Sequence, residues 1–435
     1  MTSTALLTDR YELTMLDAAL ADGTALRRSV FEVFGRRLPG GRRYGVLAGV
    51  GRVLEEIERF RFGDDELAWL DEAGVVSRGT LDWLAAYRFS GTISGYREGE
   101  LYFPGSPLLT VEGTFAEAVL LETLLLSVLN ADSAVATAAA RMVSAAAGRP
   151  LVEMGSRRTN EDAAVAAARA AWITGFAATS NLEAGRRWGV PTTGTAAHAF
   201  TLLHDDERAA FASQIAAMGT GTTLLVDTYD IEQGVRHAIE AGGTGLGAVR
   251  IDSGDLTVVV REVRRLLDSL GATGTRIVVT NDLDEYAIAT LGAMPVDSYG
   301  VGTALVTGSG HPAAGLVYKL VAREDEDGTL VSVAKRSAEK AGTGGRKWAF
   351  RMLGEGGRAS EERVVVAAEQ PDVPDGRPLV ARLVTDGVPD PEALGPSGAL
   401  AARRHHAVAV AELPPEATRL SRGDPALPTV VVAGP

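Results

Sequence analysis

Between residues 150 and 320, short apolar or β-branched runs alternate with helical stretches. PLVEMG precedes an Ala-rich helix, TLLVDT precedes IEQGVRHAIE, GAVRI precedes LTVVVREVRRLLDSL, RIVVT precedes LDEYAIATL, and VDSYGVGT closes the series. No feature of the chain constrains its fold more, because a strand followed by a helix and another strand builds a parallel sheet through crossover connections. Glu153, Thr195, Asp227, Asp252, Asn281 and Asp297 all fall at or near the C-terminal end of a predicted strand. In a β/α barrel the loops at that end assemble one site, so polar residues there read as ligand-facing. An open doubly wound sheet also places its ligand there and is the alternative.

The flanks read differently. A helix is expected around Glu12 to Ala21, a strand over Ser29 to Phe34, a Gly/Arg-rich loop over 36–45 and a further helix at VLEEIERF. From Gly91 the text GTISGYREGELYFPGSPLLTVEG alternates apolar positions with Gly and Pro, which predicts a small antiparallel sheet. Beyond residue 320 come an acidic turn (REDEDGT), a strand (LVSVAK), a Gly/Lys/Arg loop over 334–351, more strand-like text and a peripheral helix, ALAARRHHAVAVAEL. A chain of 435 residues exceeds one ordinary core, so two or three domains are expected.

Composition removes several classes of function. With no cysteine, disulfides, thiolate metal sites and cysteine nucleophiles are excluded. A formal charge of −13 disfavours a nucleic-acid binder, which needs cations to displace counterions from phosphates. The N-terminus has no basic segment leading into an apolar run, which predicts cytoplasmic residence. The Ala/Leu-rich stretch 115–147 carries Glu117, Glu122, Asn130, Asp132 and Arg141, so buried helices rather than a membrane span are expected. There is no Gly-rich loop ending in Gly-Lys-Ser/Thr, hence no ATP-binding P-loop.

Four groups carry candidate chemistry. His198 ends GVPTTGTAAHAF, where small residues allow close approach, and could accept a phosphoryl group, act as a base or cap a helix. The other histidines read as structural or exposed, with His405 and His406 on a solvated basic face beside Arg403 and Arg404. Arg157 and Arg158 follow a strand and suit bidentate capture of carboxylate or phosphate, or else form surface ion pairs. In VRIDSGD, Arg250 and Asp252 alternate along one strand and can share a side; Asp252 with Asp255 could organise Mg²⁺, or Ser253 and Asp255 could simply cap the next helix. The Gly-x-Gly turn ending at Gly302 and Thr303 can offer backbone N–H groups to an anion. Together these describe an anion-binding mouth that bears a histidine.

The strings LLTDRYELTM, FEVFGRRLPGG, EMGSRRT, GFAATSNLEA, GTAAHAF, LLVDTYD, VRIDSGDL, YGVGTALVT and VYKLV occur in an order that resembles nicotinate phosphoribosyltransferases over almost the whole chain. The resemblance implies formation of nicotinate mononucleotide and pyrophosphate from nicotinate and phosphoribosyl pyrophosphate, coupled to ATP hydrolysis, in NAD salvage. It implies a ligase-type, Mg²⁺-requiring enzyme working as a homodimer. Its fold would be an irregular β/α barrel of the type II phosphoribosyltransferase kind over 126–325. A smaller α+β domain would be built from both ends, 1–125 and 326–435. By the same resemblance His198 is the phosphohistidine, with Arg250 and Asp252 as its catalytic companions. Tyr11 stacks on the pyridine ring across the dimer interface. Arg157, Arg158, Thr195 and Asp227 line the substrates, Gly302 and Thr303 hold the 5′-phosphate, and Asp252 with Asp255 are metal ligands. A nicotinamide or quinolinate phosphoribosyltransferase, or a non-catalytic phosphosugar-binding regulator, are the alternatives.

Overall fold

A computed structural model describes residues 3–334 and 343–434. The chain forms two compact units, Ala138–Gly310 and a second made of Met1–Thr137 with His311–Pro435. The expected divisions at 125/126 and 325/326 compare with these at 137/138 and 310/311. The first lies inside a continuous helix, Glu122–Ala146, whose composition gives no break to read. The unit built from the two chain ends is the larger of the two, not the smaller.

The Ala138–Gly310 unit contains six parallel strands: β1 (Leu151–Glu153), β2 (Ala178–Thr179), β3 (Thr223–Leu225), β4 (Ala248–Ile251), β5 (Arg276–Val279) and β6 (Ser298–Val301). They form one sheet in the order β2-β1-β6-β5-β4-β3. The first strand therefore pairs with the last, Tyr299 to Val301 lying against Leu151 to Glu153, and the sheet curls so that its two edges are β2 and β3, neighbours in sequence. Val249, Ile251, Ile277, Val279, Tyr299 and Val301 are wholly buried, as expected of parallel strands covered on both faces. The helices that follow are started by side chains: Asn160, Asp230, Asp255 and Asp284 each accept N–H groups of the next turn.

Two expectations need correction here. The strand expected in GVPTTGT is reduced to a single parallel bridge between Thr179 and Thr192, and Thr195 lies in the loop beyond it. Asp297 precedes β6 instead of ending a strand, and its carboxylate accepts the Ile277 N–H at 2.7 Å, tying down the start of β5.

In the end-built unit an antiparallel sheet of seven strands interleaves both chain ends. Arg28–Gly35 lies between Leu109–Thr114 and Leu316–Glu324, and Thr92–Tyr96 lies between Leu109–Thr114 and Val380–Thr385. Lys347, at the head of the strand Lys347–Leu353, makes a buried ion pair with Glu32 at 2.9 Å. Of the loop expected over 334–351, residues 335–342 lie outside the described ones, and residues 347–351 belong to this strand instead. The helix Gly395–Glu412 is docked rather than peripheral: Ala399, Ala402, His406 and Ala409 are buried. The apolar stretch Phe115–Ala146 is long enough to cross a membrane by length and composition, yet 67% of its apolar window is packed inside the protein.

Candidate active site

The loops at the C-terminal ends of β3, β4 and β5 bring together Asp227, Thr228, Asp252, Ser253 and Thr280, and His198 joins them from the first position of the helix His198–Leu203. Its Nδ1 shares a hydrogen bond with Thr228 Oγ1 at 3.1 Å, and its Nε2 stands 3.9 Å from Asp252 Oδ2. The imidazole is 42% exposed, open enough to meet a ligand.

Each carboxylate here is half committed. Asp252 Oδ1 accepts the Thr280 hydroxyl at 2.6 Å. Asp227 Oδ2 accepts both the Asp252 N–H and the Ser253 hydroxyl, each at 2.7 Å, which fixes the turn after β4. Asp227 Oδ1 is buried without a partner among the described residues. An orphaned buried carboxylate oxygen costs free energy unless a ligand satisfies it. Together with Asp252 Oδ2 it supplies a donor set that fits Mg²⁺, which takes one or two carboxylates and completes its shell with phosphate and water. Among the described residues no cluster of three metal-binding side chains occurs. Asp255 is engaged elsewhere, its exposed carboxylate accepting the Thr257 N–H and hydroxyl at the start of the following helix.

Arg250 reaches Thr195 Oγ1 at 3.2 Å through Nη1, and its Nε is buried without a partner among the described residues. Burial pulls this guanidinium below its ordinary range, Asp252 and Asp227 oppose that, and the charge of Arg157 adds to it. A cation held half-desolvated beside two carboxylates, with a donor to spare, suits an anionic ligand. Arg157 and Arg158 are exposed in the turn after β1, which the Arg158 N–H closes on the Gly155 carbonyl. Glu153, at the end of β1, is buried and accepts from Gly155 N–H and the Thr179 hydroxyl, so it braces this turn and does not face a ligand.

Gly302 precedes a four-residue helical turn, Thr303–Val306, whose first N–H groups lack intrahelical partners. Gly300 has a packing reason of its own, since a Cβ there would lie 2.7 Å from both Met154 Sδ and Thr280 Cγ2. Tyr11 belongs to the end-built unit, on the helix Arg10–Ala21. It is 45% exposed, and its hydroxyl is pushed up to about 12 by burial of the ring and the neighbouring Glu122. Thr228 and Thr280 escaped the sequence reading, since a lone hydroxyl after an acidic residue or a strand end carries little signal; Ser253, read there as a helix cap, instead donates its hydroxyl to Asp227.

The curled parallel sheet that carries these residues is of the type II phosphoribosyltransferase-like kind. The fold matches human nicotinic acid phosphoribosyltransferase with a TM-score of 0.82 at 27% identity, covering 98% of this chain and 97% of that one. It also matches a Pyrococcus furiosus nicotinate-nucleotide pyrophosphorylase (TM-score 0.77, 25% identity, 94% and 95% covered). Residues 6–130 match the model of the nicotinate phosphoribosyltransferase N-terminal domain. Nicotinate phosphoribosyltransferase pncB1 of Mycobacterium tuberculosis is 57% identical over 98% of this chain and 94% of its own length, and the Bacillus subtilis enzyme is 39% identical over 82% and 75%. The chain belongs to the nicotinate phosphoribosyltransferase family.

Proposed function

We propose that this protein joins nicotinate to the ribose of phosphoribosyl pyrophosphate, releasing pyrophosphate and forming nicotinate mononucleotide for NAD salvage. The observation that carries the reading is the cluster of His198, Asp227, Arg250 and Asp252 at one end of the parallel sheet, in a chain 57% identical to an enzyme of that name.

The pyridine nitrogen is itself the nucleophile, so the protein's task is to hold it in line with the anomeric carbon and to stabilise the departing pyrophosphate. Arg250, with Arg157 and Arg158, supplies guanidinium groups for the substrate carboxylate and phosphates, and Thr195 orients Arg250. The backbone at Gly302 and Thr303 receives the 5′-phosphate. Asp252 and Asp227 would hold Mg²⁺, which when bound neutralises pyrophosphate charge. Asp255, committed to its helix, is the weaker candidate ligand. Tyr11 would cover the pyridine ring from the partner protomer of a homodimer. His198 accepts the γ-phosphoryl group of ATP, coupling ATP hydrolysis to turnover in a ligase-type cycle. These parts need only a cytoplasmic supply of the substrates.

The test is pyrophosphate release by the purified protein with phosphoribosyl pyrophosphate and nicotinate, nicotinamide or quinolinate in parallel. Nicotinate is expected to be preferred over the amide, because a carboxylate can use a guanidinium fully. A preference for nicotinamide, or carbon dioxide release from quinolinate, would replace the substrate assignment. No release with any base would leave the phosphosugar-binding regulator.

A further inference from the structure

We infer that Asn181 and Ser156 are positioning residues: the hydrogen bond between their side chains holds the corner of the turn that carries Arg157, and so aims its guanidinium at the anionic substrates. The inference rests on the binding role proposed above for Arg157 and adds to it what sets the direction of that side chain.

β1 and β2 run parallel with Glu153 beside Thr179, and the Ser180 N–H reaches the Glu153 carbonyl at 2.8 Å where the ladder ends. The two chains then part. One enters the turn Gly155–Ser156–Arg157–Arg158, closed by the Arg158 N–H on the Gly155 carbonyl at 2.8 Å, and the other enters the helix Leu182–Trp188. Beyond the ladder the Asn181 amide ties them, its Nδ2 lying 3.0 Å from Ser156 Oγ. The sense of this bond has no alternative. Asn181 Oδ1 accepts the Ala184 N–H at 2.9 Å, a donor that cannot reverse, so the amide NH₂ faces Ser156 and donates to its hydroxyl oxygen.

Asn181 is itself held from behind. Its own N–H donates to Thr179 Oγ1 at 2.9 Å, and the Thr179 hydroxyl donates to the buried Glu153 carboxylate, which also accepts the Gly155 N–H. The chain of donors thus leads from the far side of the turn back to the strand that feeds it.

The turn faces the site. A Cβ on Gly155 would lie 2.3 Å from Val306 Cγ1, so the turn packs directly against the segment that starts at Gly302. Arg157 stands close enough to Arg250 for their charges to repel. Ser156 and Arg157 are the two central residues, whose dihedral angles set where the side chains of a turn point. Ser156 is half-buried and Arg157 exposed, so the aim of the guanidinium depends on the backbone beneath it. Ordering a long side chain on binding costs free energy, and a corner free to rock would add to that cost. The tether to Asn181 removes the added part before the substrate arrives.

The experiment measures pyrophosphate release by the full-length protein with each substrate varied, together with calorimetric titrations of phosphoribosyl pyrophosphate and of nicotinate, which need no turnover. Arg157→Gln first identifies the substrate whose KM depends on this cation. Ser156→Ala is expected to raise that same KM about fivefold, the equivalent of one neutral hydrogen bond, with kcat changed by less than about twofold. Asn181→Ser, which keeps a helix-capping oxygen but cannot span to Ser156, is expected to match it, and Ser156→Thr, which keeps the hydroxyl, to stay near wild type. In the Arg157→Gln background Ser156→Ala is expected to add nothing, because a tether cannot aim a cation that is gone, whereas a general structural defect would add. Both KM values unchanged in Arg157→Gln or in Ser156→Ala, or a full additional loss in the double variant, would overturn the inference and leave the transferase reading standing. A wild type that binds the substrates without releasing pyrophosphate would remove the transferase reading, and the affinities would then decide the inference by the same comparisons. A wild type that binds neither substrate would remove both.

Discussion

At the residue scale the site turns on groups left partly unsatisfied. Arg250 donates to Thr195, keeps a buried Nε unpaired among the described residues, and is held against desolvation by Asp252 and Asp227. Replacing it by Gln removes the cation but keeps donors. KM for the anionic substrates is then expected to rise by a factor of about 30 or more, corresponding to the ~2 kcal/mol lower end for truncating one partner of a hydrogen-bonded charge pair on binding. Arg250→Lys is expected to recover only part, because an ammonium does not reproduce the planar fork. Steady-state kinetics with each substrate varied checks this, and unchanged KM values would remove Arg250 from the binding role. Arg250 and Asp252 were legible in the sequence because alternation along a strand puts them on one side. The capping reading of Asp255 was available from the same text, and only the geometry of Thr257 decides for it.

At the scale of elements, the strands Lys347–Leu353 and Ala359–Val366 carry charge into the core of the end-built unit. Arg351, 1% exposed, donates to Glu362 at 3.1 Å and to the Leu101 carbonyl at 2.8 Å. Glu362 in turn accepts from Tyr96 at 2.8 Å and from Ser106. Arg351→Met fills the space but leaves a buried carboxylate with hydroxyl donors only, and a loss of about 3–5 kcal/mol is expected. Adding Glu362→Leu should restore part of it, because the two changes share one interaction. Urea unfolding of the single and double variants measures this, and a double variant as unstable as the sum of the singles would contradict it. None of this network was visible in the sequence, where apolar alternation marks a strand but a charged residue on its inner face looks like an error in the pattern. The βα alternation succeeded for the converse reason. β4, β5 and β6 are short, mostly apolar runs followed by a polar residue or a glycine turn, a pattern that depends on local order alone, whereas GVPTTGT has the right composition and makes only one bridge.

At the scale of the whole molecule, the end-built unit closes through contacts between residues some three hundred positions apart, and one of them is sensitive to acid. His406 on the Gly395–Glu412 helix is 4% exposed and shares a hydrogen bond through Nδ1 with the Gly99 carbonyl at 2.9 Å. Its neighbour His405 meets Glu100 at 2.9 Å, and Arg377 joins the same carboxylate at 2.9 Å. The reading of these histidines as a solvated face was wrong, because an Ala-rich helix can bury either side and only its partner strand selects one. Burial lowers His406 to about 4; the Gly99 carbonyl and Glu100 oppose this, while His405 and Arg403 reinforce it. In the unfolded chain the group titrates near the ordinary ~6.5. Between these values the unfolded state binds a proton that the folded state refuses. The stabilisation is therefore complete above about 6.5 and lost on acidification toward 4, by up to about 3 kcal/mol. Glu100 titrates lower: burial raises it, but the His405 and Arg377 hydrogen bonds hold it at about 2, so it stays charged through this window. His406→Gln keeps a donor for the Gly99 carbonyl and removes the titration. It should lower stability near neutral pH modestly while flattening the fall between pH 6.5 and 4, measured as unfolding free energy against pH. Parallel curves for the two proteins across that interval would show that the loss comes from another group.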